Sequence, residues 1–336
     1  VYRIINYGGA LTNNGLSLGT TPAGSIPQIQ TAVAGQVNLV NFAGAAVNFW
    51  DGNGGRGDGV ITGGNGVWQA ASGNDNWTLV DGTLNNAYSD GNFAVFMGAA
   101  GTVTVDTSLG AVNASGMQFV RDGYVITGGS LGLTAPQSII RVGDGTAAGA
   151  GYTATILSAM NGTGDLVKTD LGTLVLGGTN SFSGEIVAKA GTLRIANGGT
   201  LGGLSGTIGR DSTDRAVVTV IGTDGAGNAS TWTNTGILRV GGLGRGTLNI
   251  LDGGAVKGGD IAHIGDDTGS QGIVTVSGVD ANGNASSWIT TNDLVIGELG
   301  TGTLHILGGG KVNNVSSFIG SNVFGTGTVN VSGVDG

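Results

Sequence analysis

Few side chains in this sequence are equipped for chemistry, and their spacing limits what they can do. The 336 residues include two histidines, His263 and His305, and no cysteine. Thiol nucleophiles, disulfides and zinc–thiolate sites are therefore excluded. Asp266-Asp267 with His263 nearby offers carboxylates and a base, the groups that cleave polysaccharides by general acid–base chemistry. The Gly-His-Gly and Arg-x-Lys partners of such a site are absent. The matching point of a later copy of the same pattern reads Ser321-Asn322, so a turn is the better reading. His305 sits in Leu304-His305-Ile306 where sister runs carry Asn249 and Asn330, which places it toward solvent. A Ser-His-Asp triad needs histidine beside a nucleophile on a sharp turn. None is read here. No catalytic residue, metal or cofactor is expected.

Binding chemistry has more candidates. Arg56-Gly57-Asp58 is a cell-attachment tripeptide within a loop of small residues, 51–59. In a chain with this much glycine and Asp in its turns, the same tripeptide also arises by chance. That loop reads Asp51-x-Asn53-x-Gly55 with Asp58 beyond, oxygen ligands at alternate positions as in a calcium loop, but the closing bidentate Glu is missing and the spacing is wrong. Asp224 and Asn228 recur as Asp280 and Asn284 in two copies of Asp-x-x-Gly-Asn-Ala-Ser. Such side chains close turns by bonding their own backbone. Stacked at a fixed period, they would also form a ladder able to meet a partner through many weak bonds. Trp232 and Trp288, just after these loops, are either core plugs or exposed platforms for sugars.

Composition narrows the classes further. Glycine occurs 71 times, Pro 3 times, and the formal net charge is −9. Collagen needs Gly at every third position with abundant Pro. Disorder needs less apolar content than the 39% found here. A pI near 4.4 gives no basic field for nucleic acid. No apolar run reaches the roughly 18 residues of a membrane helix.

The elements that position these residues follow from a repeat. Ile/Val-Gly, a polar loop, Gly and an alternating run recur, as in Val240-Gly241 leading to Gly246-Thr247-Leu248-Asn249-Ile250. The lead glycines are 209, 241, 265, 297 and 320, spaced by 32, 24, 32 and 23. The full period, the sum of two successive spacings, is therefore 56, 56 and 55. Trp232 and Trp288 keep that period. Alternation predicts short strands with one apolar face. Strands this short bury that face only by stacking coil on coil, the logic of a solenoid. Residues 327–336 begin a further copy, so the rod is expected to continue.

The segment with Lys168, Gly172-Thr173-Leu174, Asn180-Ser181-Phe182-Ser183-Gly184 and Ala190-Gly191-Thr192-Leu193 resembles the autotransporter-associated β-strand repeat. Asn48-Phe49-Trp50-Asp51-Gly52 and Asn76-Trp77 are also similar to autotransporter passenger sequence. The resemblance implies an all-β, right-handed parallel β-helix, a single elongated rod. It implies residues 1–150 as an irregular N-terminal part with longer loops, 151–206 as β-strand repeat coils, and 207–336 as regular coils with the double repeat. It further implies a non-catalytic surface adhesin of a Gram-negative bacterium, acting by self-association or by attachment to host matrix protein or glycan. A stalk for a distal domain is the alternative, and a polysaccharide-degrading enzyme is a weaker one. The opening Val-Tyr-Arg implies an excised segment whose export signal lies upstream and whose membrane-anchoring β-barrel lies downstream.

Overall fold

The computed structural model describes residues 1–42, 44–70 and 74–333. The last three residues of the expected further copy lie outside the described residues. The chain forms two compact units, one of residues 1–158 with 170–172, the other of residues 159–169 with 173–336.

The second unit is a parallel β-helix. Among the described residues it has seven coils of three short strands, each strand pairing in parallel with its counterpart one coil on. First-face strands begin at positions 160, 179, 200, 231, 255, 287 and 311, so successive starts differ by 19, 21, 31, 24, 32 and 24. The second face runs from Asp165–Thr169 to Ser316–Ile319, and the third from Thr173–Leu176 to Thr326–Ser332.

Strict register turns the alternating runs into columns. On the third face Leu174, Leu193, Val218, Leu248, Val274 and Leu304 stack one above another. All are buried. The intervening column, Val175, Arg194, Thr219, Asn249, Thr275, His305 and Asn330, is the outward one, and His305 and Asn330 are within 3.2 Å.

The lead glycines form the corner between the second and third faces. Gly241, Gly265 and Gly297 have φ of 73°, 72° and 68°, in the left-handed region that favours glycine. A Cβ there would lie 2.4, 2.4 and 2.1 Å from the carbonyl oxygens of Gln271, Thr301 and Thr326 in the next coil. Both the turn and the close coil approach therefore demand glycine.

The double period comes from the core. The inward column of the first face reads Leu201, Trp232, Val256, Trp288, Val312, large and small in alternation. Trp232 and Trp288 are fully buried, which excludes their use as sugar platforms. A Cβ on Gly206, across the core and one coil back, would sit 2.5 Å from Trp232 Cζ2. The equivalent position two coils on is Ala262, also small and placed the same way before Trp288. Each tryptophan thus needs a small residue one coil behind it, and a two-coil unit is the shortest that supplies one.

The first unit is less regular. Gln36–Asn41 lies between Tyr2–Asn6 and Pro27–Gln30 in an antiparallel sheet. Beyond it, Val47–Trp50, Phe93–Phe96, Gly116–Phe119 and Gln137–Val142 form one parallel face, and Gly66–Gln69, Thr102–Asp106, Tyr124–Gly128 and Thr153–Ile156 a second. Val112–Ala114 and Leu131–Leu133 pair in a third. Trp77–Thr78 and Asn85–Asn86 extend the Val47–Trp50 edge in the antiparallel sense. Trp50, Trp68, Trp77, Tyr88, Phe96, Phe119 and Tyr124 fill the interior as one aromatic cluster, with Trp77 at 4.7 Å from Tyr88 and 5.1 Å from Trp50 between ring centroids. Such tilted and edge-on pairs add about 0.5–1.5 kcal/mol each beyond the area they bury.

The Trp232–Gly206 packing is testable by chemical denaturation. Trp232→Ala is expected to cost about 3–5 kcal/mol. Gly206 has an ordinary backbone, so Gly206→Val is expected to cost about 1–3 kcal/mol through overpacking alone. Combining Gly206→Val with Trp232→Val should cost less than the sum of the two, because the new side chain enters the space the indole leaves.

Candidate interaction surface

The repeated Asp-x-x-Gly-Asn-Ala-Ser loops join the third face to the first. Each is a small hairpin, closed by an antiparallel bridge at Thr223–Ala229 and at Val279–Ala285. Asp224 Oδ1 accepts from the backbone N–H of Ala226 (2.9 Å) and Asn228 (2.8 Å), and Oδ2 accepts from Asn228 Nδ2 at 2.8 Å. Asp280 repeats this with Asn282 (2.9 Å), Asn284 (2.7 Å) and Asn284 Nδ2 (2.9 Å). The Asn side chain and the backbone N–H groups hold both carboxyls below the ordinary aspartate range. These are the bonds of the turn-closing reading.

The hairpins are anchored from beneath. Ser230 Oγ accepts from Gly198 N at 3.1 Å, and Ser286 Oγ accepts from Gly253 N at 3.0 Å, each bond reaching the short turn of the preceding coil. Both serines are fully buried. Asn282 stays exposed, and Asn228 and Asn284 keep part of their surface open to solvent. A Cβ on Gly227 would lie 3.5 Å from Asn282 Nδ2, so the two hairpins approach each other closely across the short turn between them.

Arg56-Gly57-Asp58 lies in the first unit on an exposed loop. The guanidinium is engaged by its own loop and by the neighbouring Asp75 and Asn76. Arg56 Nε donates to Asp75 Oδ1 (2.8 Å), Nη1 to the carbonyls of Gly52 and Gly54 (both 3.1 Å), and Nη2 to Asn76 Oδ1 (2.7 Å). Gly57 N donates to Asn85 Oδ1 at 2.9 Å, and Asp58 Oδ1 accepts from Val60 N at 2.9 Å. Asp51, the first of the calcium-like oxygens, is buried and accepts from Thr62 N, Thr62 Oγ1 and Asn85 Nδ2. Its oxygens thus already have three donors.

Positions 15–19 and 128–132 have Gly-x-Ser-x-Gly spacing, but neither leads from a strand into a helix, the context that activates such a serine. Among the described residues no helix is long and apolar enough to cross a membrane.

Comparison with known proteins points to one family. Residues 166–195 match the family model of the passenger-associated-transport-repeat. Over 229 residues, 65% of this chain, the sequence is 54% identical to a curated relative named "Adhesin BmaC autotransporter" from Brucella suis biovar 1 (strain 1330). Over these residues the chain is similar to autotransporter passenger sequence. It spans 7% of that relative's length. No solved structure matches. Passenger sequence of this kind belongs at the surface of a Gram-negative bacterium or is released from it.

The structure explains why the passenger's transport repeat carries polar residues at fixed points. Asn180 is buried in the inward column of the first face. Its Oδ1 accepts from Met160 N at 3.1 Å, and its Nδ2 donates to the carbonyls of Gly178 (2.8 Å) and Thr200 (2.9 Å). One amide thereby ties three coils. Lys168 is likewise buried, and its Nζ donates to the carbonyls of Thr169 (3.0 Å) and Ala190 (3.1 Å). The motif's polar residues are internal braces, a role the sequence pattern alone did not disclose.

Asn180→Ala would leave the Met160 N–H without its partner and remove two amide bonds to carbonyls, of which that of Gly178 keeps its bond from Thr200 N, and is expected to cost about 1–3 kcal/mol in denaturant titrations. A second expectation concerns pH. A carboxyl whose folded pKa is depressed stabilises above its unfolded value, roughly 3.9 for Asp, and loses that contribution as pH falls through the folded value. The side-chain amide NMR signals of Asn228 and Asn284 should therefore hold constant through neutral and mildly acidic pH. They should move only below the ordinary aspartate range. Movement near neutrality would contradict the assigned bonds.

Proposed function

We propose that this passenger segment is a non-catalytic adhesin element that works by lateral contact along its stacked hairpins, with a second copy on a neighbouring cell as the first partner. The observation that carries the reading is the pair of closely spaced, equivalent hairpins. They have the same internal bonds, are braced on buried serines and present Asn228, Asn282 and Asn284 outward. Identical groups at a fixed repeat favour a partner with the same repeat, because each added weak contact forms at high effective concentration. The name of the similar Brucella protein, an adhesin, supports the same class.

Charge sets the conditions. With a net charge of −9, two copies repel at low ionic strength, and salt screens that repulsion. Host matrix protein or glycan is the second kind of partner that neutral amide groups suit. Arg56-Gly57-Asp58 is a weaker attachment candidate, since its arginine is already engaged by Asp75, Asn76 and the carbonyls of Gly52 and Gly54.

Sedimentation velocity across concentration and salt tests this. Association should grow with both. It should fall in the Asn228→Ala, Asn284→Ala double variant, and also in Ala226→Lys, Asn282→Lys, which leaves the closing Asp–Asn bonds in place. A monomer under all conditions would sink self-association. A glycan and matrix-protein binding array then separates a heterotypic adhesin, which binds, from a stalk, which does not.

A further inference from the structure

The corner after the second face carries charged side chains that reach back by one coil. Asp266 follows the lead glycine Gly265, and its Oδ2 accepts from Arg239 Nε of the coil before at 2.7 Å. Glu298 follows Gly297 and reaches His263 of the coil before, with Oε2 at 2.8 Å from Nδ1. Arg210 follows Gly209 and pairs in the same sense with Glu185. At one coil this pattern brings three ligand types together. His263 Nδ1, 3.1 Å from Asp266 Oδ1, faces both carboxylates, and all three groups offer atoms within 4.8 Å of one another. Nδ1 is itself buried, yet aligned as a hydrogen bond with neither oxygen. The side chains are 14%, 15% and 32% exposed for His263, Asp266 and Glu298, so solvent reaches the cluster past Glu298.

We propose that His263, Asp266 and Glu298 form a binding site for a divalent transition metal of the zinc type. One imidazole nitrogen with two carboxylate oxygens is a zinc-like donor set, whereas calcium and magnesium take oxygen alone. Tetrahedral zinc with bonds of about 2.0–2.2 Å spaces its ligand atoms about 3.3 Å apart. The separations of 2.8 and 3.1 Å require only a few tenths of an ångström of opening. Arg239 holds the other oxygen of Asp266 and so fixes which oxygen faces the metal, the part an outer-shell partner plays. A fourth ligand comes from solvent on the Glu298 side. Two ligands belong to one coil and the third to the next, so the ion would clip neighbouring coils together.

The register explains why one coil alone has this set. The column through His263 reads Thr207, Arg239, His263, Val295 and Phe318. The position after each lead glycine reads Arg210, Gly242, Asp266, Glu298 and Ser321. Histidine with an acid in its own turn and another in the next turn occurs once in these rows. No metal is expected from the sequence because Glu298 lies a full coil beyond Asp266, with no local spacing to link them.

Isothermal titration of the full chain with ZnCl2 at pH 8 tests the assignment. One zinc per chain is expected, with a rise in the thermal midpoint that EDTA reverses. His263→Gln and Glu298→Gln should each weaken binding by about tenfold or more, and Arg239→Gln by less. His305→Gln, on the third face, should leave binding unchanged. CaCl2 should give no saturable heat. Circular dichroism checks that each variant folds. If His263→Gln does not fold, Glu298→Gln decides, together with loss of the visible absorption of bound Co2+. No saturable zinc binding, or binding equally strong in His263→Gln and Glu298→Gln, or lost in His305→Gln, would overturn the proposal.

Discussion

A coil in the helical unit has strands of three to seven residues, too short to bury an apolar face alone. Its backbone N–H and C=O groups are satisfied by the coils on either side, through parallel ladders on three faces. The ladder permits one register per face, because a slip by one residue would turn every inward side chain outward. Everything else in the unit obeys that register. Apolar residues become columns, corner residues become rows, and whatever stands at one position meets its counterpart one coil away. A glycine at the corner is then a condition on the next coil's carbonyl as much as on its own turn.

This constraint is why so much of the regular unit was legible beforehand. Lead glycines 209, 241, 265, 297 and 320, and the runs that follow them, are a one-dimensional record of a repeating coil. Trp232 and Trp288 declared the period, though not that the reason is a small residue, Gly206 or Ala262, across the core and one coil back. That reason was hidden because Gly206 and Trp232 stand a full coil apart in the chain and nothing local links them. The same distance problem hid Glu298 from His263. The first unit was less legible for another reason. Its aromatic cluster joins positions 50, 68, 77, 88, 96, 119 and 124, at intervals set by loops of unequal length, so no period records the contacts. Its antiparallel N-terminal sheet rests on strand pairings that alternation cannot distinguish from parallel ones.

The candidate surface shows how polar residues divide between structure and recognition. Asp224, Asp280, Ser230 and Ser286 have their oxygens committed to backbone N–H groups and to the Asn side chains. Asn180 and Lys168 are committed to carbonyls inside. A sequence pattern marks all of these as repeated and polar, and cannot say which groups have donors or acceptors to spare. Only the hydrogen-bond inventory does, and it leaves the outward hairpin face as the place where amide groups remain available.

Core and surface periods are locked to each other. Each hairpin immediately precedes a tryptophan strand, and the short turns of the coils that follow precede the Val256 and Val312 strands, so the large side chain and the long loop belong to the same coil. Parallel strands lie about 4.8 Å apart, so hairpins two coils apart recur about every 10 Å. The distance comes from the backbone ladder, and the choice of every second coil goes with the indole inside. The outside inherits it. A mutation that shifted the tryptophan period would also dephase the hairpins, and a partner matched to that comb would lose its register even with every surface residue unchanged. The packing alternation and the loop alternation therefore keep one two-coil beat.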